Sequence, residues 1–443
     1  MEKLILLAEK YASLMKAAEE YIWNNPETGY KEFKTDKYMR ERFTELGYEL
    51  TRAEGITGFY TLLDTGKPGP TLLILGELDS VICKSHPNAD KQTGAVHACG
   101  HHCQCSALLG IAAALKEDGV LDGLCGKIKL CAVPAEELLE IDYRSELIEN
   151  GVISYYGGKT EFLKRGYFDD VDLAFMVHTG DRFYIGKGHV GCIAKRIIYK
   201  GTASHAGGSP WNGNNALYAA TCGINAANSI RETFKESDII RFHPIITEGG
   251  QMVNAIPDTV KIESYVRGKT YDGILTANKR INRALCGGAL SLGANVEIVD
   301  MPGYAPEVHD ENMIEVFKEA MALALPDEPV VISNDFSSGS SDMGDLSCIM
   351  PTIQPHGAGA VGKCHGNDYF IKDSKKATLD TAKLQLAMLW LLLSNGAERA
   401  KKIISEFTPR FASKDEYLSY VQSIFKKGDR ITYNEDGTAT VEL

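Results

Sequence analysis

The densest group of potential metal ligands is the run HACGHH at residues 97–102, in which Cys99 and His101 stand two positions apart. Thiolate and imidazole are good ligands for zinc and for its neighbours in the first transition row. Gly100 between them lets the backbone turn so that both side chains can face one ion. A buried cysteine beside surface histidines would give the same letters, so this pair alone leaves both interpretations open.

A pair of adjacent carboxylates, Glu136 and Glu137, follows an apolar run that ends at Val133. Active sites in open α/β sheets lie at the carboxyl ends of strands. One carboxylate can bind metal while the other acts as a general base, because burial and the like charge raise its pKa. The alternative is the solvated start of a helix, where acidic residues are favoured.

Two more histidines stand in comparable positions. His178 ends the apolar run DLAFMV, and His365 follows a glycine-rich stretch at residues 357–362. A satisfied core histidine would also explain His178, and glycine-rich loops often only turn the chain. Taken together, the cysteine, histidines and glutamates suffice for one or two metal ions with an open position for water.

Three further polar residues in the middle of the chain are candidates for a binding site: His205, Asn254 and Arg267. These residues lie on or near the ends of strands of one small predicted sheet. They could hold a substrate carboxylate or an oxyanion. Capping and turn chemistry, which Ser, Asn and Gly perform routinely, is the alternative.

The elements that must position the ligands are predicted as alternating strands and helices. Short apolar runs at Thr71–Gly76, Lys127–Val133 and Asp172–Val177 are typical of buried strands, and Ser106–Leu115 is predicted as a helix. This alternation indicates an α/β fold with a parallel or mixed sheet. The apolar helix Leu379–Leu393 is expected to close the same domain.

A separate domain is predicted in the middle of the chain. Its elements are strand Cys192–Lys200, helix Asn214–Thr233, strands Arg241–Thr247 and Thr259–Arg267, helix Tyr271–Leu292 and strand Asn295–Asp300. The order β-α-β-β-α-β is that of a ferredoxin-like α+β unit. We therefore expect a domain of residues 189–303 inserted into one of residues 1–188 and 304–443. The tail beyond Phe407 has no readable pattern.

Composition limits the partners and the compartment. The 443 residues are 44% hydrophobic and carry a formal net charge of -12, so nucleic acid and anionic membranes are not expected as partners. The 11 cysteines show no spacing of paired bridges, and the amphipathic N-terminus lacks the features of a signal peptide. No apolar run is long enough to span a bilayer. A cytoplasmic protein is expected.

Five motifs carry a resemblance to a known family. HACGHH and PAEE are similar to its H-x-C-G-H-D/N and Glu-Glu signatures. TASHAGGSPWNGNNAL, GGQMVNAIPD and SSDMGDLSCIMP are similar to three further motifs, in the same order. Over about residues 10–395 the chain resembles the M20 metallopeptidase family, and within it the branch of amidohydrolases and aminobenzoyl-glutamate hydrolases.

The resemblance implies a zinc-peptidase-like catalytic α/β domain with a mixed sheet and an inserted ferredoxin-like lid domain, which commonly dimerises. It implies two divalent metal ions, with the ligands Cys99, His101, Glu137, His178 and His365. It also implies that Glu136 is the general base and that Asp79 orients a ligand or tunes the site. His205 would steady the tetrahedral intermediate, in its own or the neighbouring subunit's site.

Three positions depart from the family pattern. His102 stands where the branch has Asp or Asn, and could support a ligand, be an extra ligand or do neither. Glu77 stands where distant M20 peptidases have a metal-binding histidine, so the metal arrangement of those relatives is not carried over. His365 lacks the His-x-Pro pattern of many members, and His356 competes with it as the ligand.

The expected activity is metal-dependent hydrolysis of an amide bond in a small N-acyl amino acid, an aminobenzoyl-glutamate-like amide or a dipeptide. Asn254 or Arg267 would bind the substrate's carboxylate. Cysteine ligation favours zinc, while manganese, cobalt and nickel stay open. The alternatives are deacetylation or decarbamoylation of a metabolite, and a non-catalytic metal-binding subunit of a hetero-oligomer. A homodimer formed through the lid domain is implied by the resemblance only.

Overall fold

The computed structural model describes the backbone of residues 2–443 and the side chains of residues 4–443. Its α-helices are α1 (Glu2–Lys10), α2 (Ala12–Trp23), α3 (Phe33–Glu45), α4 (His101–Leu115), α5 (Ile141–Glu149), α6 (Gly158–Lys164), α7 (Ala216–Ser229), α8 (Tyr271–Leu290), α9 (Glu311–Ala324), α10 (Met343–Ser347), α11 (Thr381–Leu393), α12 (Glu398–Glu406) and α13 (Lys414–Ile424). Its strands are β1 (Thr51–Arg52), β2 (Phe59–Asp64), β3 (Thr71–Glu77), β4 (Val81–Ile82), β5 (Ala95–Val96), β6 (Lys127–Val133), β7 (Leu173–Phe175), β8 (Phe183–Ile185), β9 (Gly188–His189), β10 (Gly191–Lys200), β11 (Arg241–Phe242), β12 (Ile245–Glu248), β13 (Thr259–Gly268), β14 (Asn295–Pro302), β15 (Glu307–Val308), β16 (Val330–Ile332), β17 (Phe336–Ser337), β18 (Thr352–Ile353), β19 (Ala360–Val361), β20 (Phe370–Ile371), β21 (Lys426–Asp429), β22 (Ile431–Tyr433) and β23 (Ala439–Val441).

The chain divides into two compact units. The first contains the residues up to 188 together with 307–337 and 341–414. The second contains residues 189–306, 338–340 and 415–443.

A six-stranded mixed sheet forms the centre of the first unit, in the order β1-β2-β6-β3-β7-β18. Strands β6, β3, β7 and β18 are parallel to one another, and β2 is antiparallel to β6. Every residue of β3 is buried, as expected for a central parallel strand that is covered on both faces. The sheet confirms the predicted α/β fold class.

Helix α4 packs between this sheet and helix α2, and it is buried along its whole length. A Cβ at Gly110 would lie 2.2 Å from the sulfur of Met15, so a glycine at this position lets α2 approach α4 closely. The helix begins at His101, directly after Gly100. The close packing of α4 therefore fixes where the HACGHH run meets the sheet.

The second unit is built on an antiparallel sheet in the order β11-β13-β10-β14-β21, with β12 paired beside β13. Helices α7 and α8 pack on each other and on the sheet, and residues such as Ile197, Ile262 and Leu285 form its core. The order of β10, α7, β12, β13, α8 and β14 confirms the predicted ferredoxin-like α+β arrangement.

The C-terminal tail joins the second unit, whereas the sequence analysis assigned residues 304–443 to the first domain. Strand β21 pairs with β14, and Ile424 and Ile431 are buried in the second unit's core. The tail's strands are only three or four residues long and are mostly exposed, so their periodicity carries no signal in the sequence. The position of β21 depends on pairing with β14, a strand far away in the sequence, and β22 pairs with β23.

None of the helices within residues 2–443 combines the length and the apolar character that a membrane crossing requires. Helix α11, the apolar helix that the sequence analysis expected to close the first domain, is a core helix of the first unit. Its Leu384, Leu386 and Leu389 are fully buried. A π-helical segment, Lys375–Asp380, precedes it.

We expect Ile431→Ala to lower the free energy of unfolding by about 2–5 kcal/mol, because the change leaves a cavity where the tail meets the core of the second unit. Urea-induced unfolding followed by circular dichroism measures the change. Thr432→Ala, at the exposed neighbouring position of β22, is the matched control and should stay within about 0.5 kcal/mol of the parent. Equal effects of the two substitutions would contradict docking of the tail.

Candidate metal centre

Three parallel strands bring acidic and imidazole side chains to one edge of the central sheet. Strand β3 ends at Glu77 and is followed by Asp79, β6 is followed by Glu136 and Glu137, and β7 is followed by His178. Because these strands are parallel neighbours, their carboxyl ends meet at the same edge. Residues that are far apart in the sequence therefore share one site.

Gly100 directs Cys99 and His101 toward this edge. It has a left-handed φ of 86°, and a Cβ there would lie 2.5 Å from the Tyr369 hydroxyl and 2.6 Å from Thr179 Cβ. Glycine is therefore required both for the turn and for the close approach. The Cys99 sulfur lies 3.4 Å from Nε2 of His178.

Asp79 fixes the orientation of the His101 ring. Nδ1 of His101 lies 3.0 Å from the Asp79 carbonyl oxygen and 3.2 Å from its Oδ1. Both oxygens are acceptors, so Nδ1 carries the hydrogen and donates it. Nε2 is then left to face Glu77 Oε2 at 3.2 Å and Glu136 Oε2 at 3.8 Å. This carboxylate–histidine arrangement is typical of metal-ligating histidines.

Glu137 is held by the same aspartate. Its backbone N–H donates to Asp79 Oδ2 at 2.8 Å, and its Oε1 lies 2.9 Å from Nε2 of His365. His365 has a left-handed φ of 62°, and its N–H donates to the carbonyl of Ala98. The other candidate histidine, His356, packs its ring 5.4 Å from that of His178. Of the two, His365 is the one that lies beside Glu137.

The pKa values of the Glu136 and Glu77 carboxyls are shifted in opposite directions. Burial raises the pKa of the Glu136 carboxyl well above its ordinary value, and the charges of Glu77 and Glu137 raise it further. Burial acts in the same direction on Glu77, but Lys159 and His101 reverse the effect and lower its pKa. Glu136 is therefore suited to accept and return a proton, while Glu77 stays ionised.

A buried lysine that the sequence analysis missed compensates two carboxylates. Lys159 in α6 lies 2.5 Å from Glu77 Oε1 and is also paired with Asp342. All three side chains are fully buried. Asp342 comes from the SSDMGDLSCIMP motif, which was noted only for its resemblance. Nothing in the spacing of Lys159 along the chain distinguishes it from a surface lysine.

Cys364 is a second missed residue. It directly precedes His365 in the chain, and its sulfur lies 3.6 Å from that of Cys99. Two thiolates that bind one zinc ion at about 2.3 Å each would lie at a similar separation. A cysteine directly before a candidate histidine ligand was the available signal.

The donor chemistry at this edge fits metal ions. Three groups offer donor atoms within 4.8 Å of one another: Cys99, His101 and His178; Cys99, Cys364 and His365; and Glu77, His101 and Glu136. His101 Nε2 and Glu77 Oε2 are buried and form no hydrogen bond with any residue of the described chain. A divalent cation would engage both atoms and offset the buried negative charge.

The three predicted polar residues of the inserted region all lie in the second unit. His205 and Asn254 are exposed neighbours, since the Ala206 N–H donates to the Asn254 carbonyl. Arg267 lies near the other end of β13, roughly 25 Å away at the usual rise of a strand, and donates to Ser340. Within one chain, therefore, Arg267 does not share a binding site with His205 and Asn254.

Taken together, a thiol–imidazole–carboxylate cluster beside a protonatable glutamate, at the carboxyl edge of an α/β sheet, defines the class of metallohydrolases. A model of the peptidase family M20/M25/M40 matches residues 73–389. The chain belongs to this family and is an M20-type metallo-amidohydrolase or peptidase.

Individual relatives agree with this membership. Over 329 residues the chain is 26% identical to a Haemophilus influenzae homolog of one p-aminobenzoyl-glutamate hydrolase subunit, covering 70% of this chain and 72% of the relative. It is 27% identical over 371 residues to the Xaa-Arg dipeptidase of Homo sapiens, covering 79% and 76%. A dinuclear metal-binding M20 peptidase from Bacillus subtilis shares the fold with a TM-score of 0.62 at 19% identity, covering 87% and 99%.

We expect Lys159→Met to destabilise the first unit by about 3–5 kcal/mol, because it leaves Glu77 and Asp342 buried without their cation. Urea-induced unfolding of the full chain measures the loss. The control is Lys164→Met, an exposed lysine on the same helix, which should change stability by less than about 0.5 kcal/mol. A Lys159 variant as stable as the control would contradict the compensating role.

Proposed function

We propose that this chain hydrolyses the amide bond of a small N-acyl amino acid, an aminobenzoyl-glutamate-like amide or a dipeptide. The observation that carries the proposal is the buried Glu136 carboxyl, which lies beside His101 and has a raised pKa. Two relatives are named for dipeptide and p-aminobenzoyl-glutamate substrates, which supports these substrate types.

The proposed metal ligands are Cys99, His101, Glu137, His178 and His365, which would hold two divalent ions. Ions bound there would supply Lewis acidity that activates water and polarises an amide carbonyl. Thiolate ligation favours zinc, and the nearby Cys364 strengthens that preference over manganese. The cytosol is the proposed compartment, because it keeps such thiols reduced.

In the proposed mechanism Glu136 accepts a proton from the attacking water and passes it to the leaving amine nitrogen. One carboxylate thus serves as base and then as acid. Asp79 keeps Nε2 of His101 directed at the site and holds the backbone of Glu137. Lys159 keeps Glu77 ionised without taking part in proton transfer.

The second unit is the proposed lid, and its residues would act on the substrate across a homodimer. Arg267, which stacks on Tyr265, would bind the substrate's carboxylate, and His205 would stabilise the oxyanion in the partner's site. The separation of Arg267 from His205 and Asn254 along β13 supports two different sites for them. If Asn254 contacts substrate, it does so beside His205.

An exposed apolar edge supports the dimer. Among residues 2–443, β13 is the strand that pairs with β12, which leaves the other edge of β12 available for pairing. Ile245 on this strand and Met252 and Val253 shortly after it are at least 60% exposed. A second copy of the chain that adds its β12 there would cover them.

Glu136→Gln should abolish turnover while the metal content per chain stays that of the parent, because the amide cannot accept the proton from water. Activity against N-acyl amino acids and dipeptides, measured beside plasma mass spectrometry of the metals, tests this. Retained activity would remove Glu136 as the base.

Cys99→Ser is the companion variant, and it should lose both metal and activity. The parent chain purified alone should be active in the same assay. An inactive parent that binds metal would instead favour the non-catalytic component of a hetero-oligomer, in line with the subunit name of one relative.

Mixing Glu136→Gln chains with His205→Ala chains should restore activity if His205 serves the partner's site. Each mixed dimer then has one intact site, so random exchange should recover roughly a quarter of the parent's activity. Each variant assayed alone is the control. Recovery no greater than the sum of the two variants would contradict action across the dimer.

A further inference from the structure

A patch of polar side chains interrupts the packing between α2 and α4. At one end of this interface the Met15 side chain lies against Gly110. At the other end the Trp23 ring lies 5.0 Å from the His102 ring. The carboxylate of Glu19, the imidazole of His102 and the thiol of Cys103 come together at this second end. Groups of this kind are rarely buried without a partner.

The donor atoms of Glu19, His102 and Cys103 all lie within 4.8 Å of one another. Nε2 of His102 lies 3.4 Å from the sulfur of Cys103. Zinc–sulfur and zinc–nitrogen bonds of about 2.3 Å and 2.0–2.1 Å put two tetrahedral ligand atoms about 3.5 Å apart. The observed separation, which in the ion-free protein is that of a sulfur–imidazole hydrogen bond, is therefore also short enough for both atoms to bind one ion without a change of position.

The patch also contains imidazole atoms that lack partners. His102 and His97 are fully buried, and their rings lie 5.3 Å apart. Nδ1 of His102 and both nitrogens of His97 form no hydrogen bond with any residue in the described part of the chain. Buried polar groups normally have a partner, so the two imidazoles are short of hydrogen-bond partners in this patch. In His102 the nitrogen available to an ion is Nε2, which lies beside the Cys103 sulfur.

The carboxylate is already oriented for a ligand. The Ser374 hydroxyl donates to Oε2 of Glu19, which fixes the half-buried side chain. A hydrogen bond of this kind commonly orients a metal-binding carboxylate. Among the side chains of residues 4–443, His102 and Cys103 belong to none of the donor groups that contain Cys99, His101 or His365. The patch is therefore separate from the candidate metal centre.

We propose that Glu19, His102 and Cys103 bind a structural divalent transition-metal ion that joins α2 to α4. Thiolate, imidazole and carboxylate together are a zinc ligand set, and a water molecule would complete a tetrahedron. The ion fastens α2 to the first turn of α4, the turn that also carries His101. His102 is then a ligand, although of a different ion from the one beside His101.

Metal content of the full chain tests the proposal. After equilibration with zinc and removal of free metal, Cys103→Ser, His102→Asn and Glu19→Gln should each hold about one ion per chain fewer than the parent. Cys131→Ser, a fully buried thiol of β6 outside every donor group of the described residues, is the matched control and should keep the parent's content. Equal metal content in the parent and the three variants would overturn the proposal.

Cobalt spectroscopy separates this site from the catalytic one. In the double variant Cys99→Ser/Cys364→Ser, bound Co²⁺ should still give a sulfur-to-cobalt charge-transfer band, which disappears when Cys103→Ser is added. Absence of the band in the double variant would overturn the proposal, even if the parent protein is an active enzyme. Presence of the band would support it even if the catalytic assignment fails.

Folding of the variants does not limit the test. Glu19→Gln keeps the volume of a half-buried side chain, so this variant suffices if the two buried substitutions prevent folding. Zinc should raise the Tm of the parent more than that of Glu19→Gln, because a ligand stabilises the state that binds it. An equal zinc-dependent shift in both proteins would count against the site.

Discussion

Compensation of buried negative charge is the constraint on which the centre of this molecule depends. Glu77, Glu136, Glu137 and Asp342 are all buried near one edge of the sheet. Isolated carboxylates are very unfavourable in such an environment, so each needs a cation, a proton or a hydrogen-bond donor. Lys159 is paired with Glu77 and Asp342, and His365 is paired with Glu137. Burial raises the pKa of Glu136, and the charges of Lys159 and His101 partly offset this rise. Glu77 and Asp342 are therefore carboxylates held by a buried lysine, whereas Glu136 is the carboxylate proposed to transfer protons.

The first turn of α4 connects the buried carboxylates with the packing of helix α2 in the first unit. His101 on that turn faces Asp79 and Glu77, whereas His102 faces Trp23 and the α2 helix. Both orientations follow from the left-handed turn at Gly100 and from the burial of the helix behind it. Two histidines that are adjacent in the sequence therefore belong to different chemical environments.

The two edges of the second unit's sheet differ in the side chains that they expose. On one side β21 pairs with β14 and becomes the outer strand, and its charged residues Lys426, Lys427 and Asp429 are exposed. Exposed charges on an outer strand disfavour the addition of a further strand. On the other side β12 pairs with β13 among the described residues and carries exposed apolar side chains such as Ile245, which is why the proposed homodimer is placed there.

Local patterns along the chain were enough to predict the α/β class, the inserted ferredoxin-like unit and the family, because buried strands and short ligand motifs are contiguous in sequence. The strand Lys127–Val133, for example, has the predicted bounds. Folding in three dimensions was needed to show that Lys159 and Asp342 lie with Glu77, that Cys364 lies beside Cys99, and that the tail joins the second unit. These are contacts between residues far apart in the chain, and no local periodicity encodes them. The same reason applies to Glu19, His102 and Cys103, whose proximity arises from the packing of two helices.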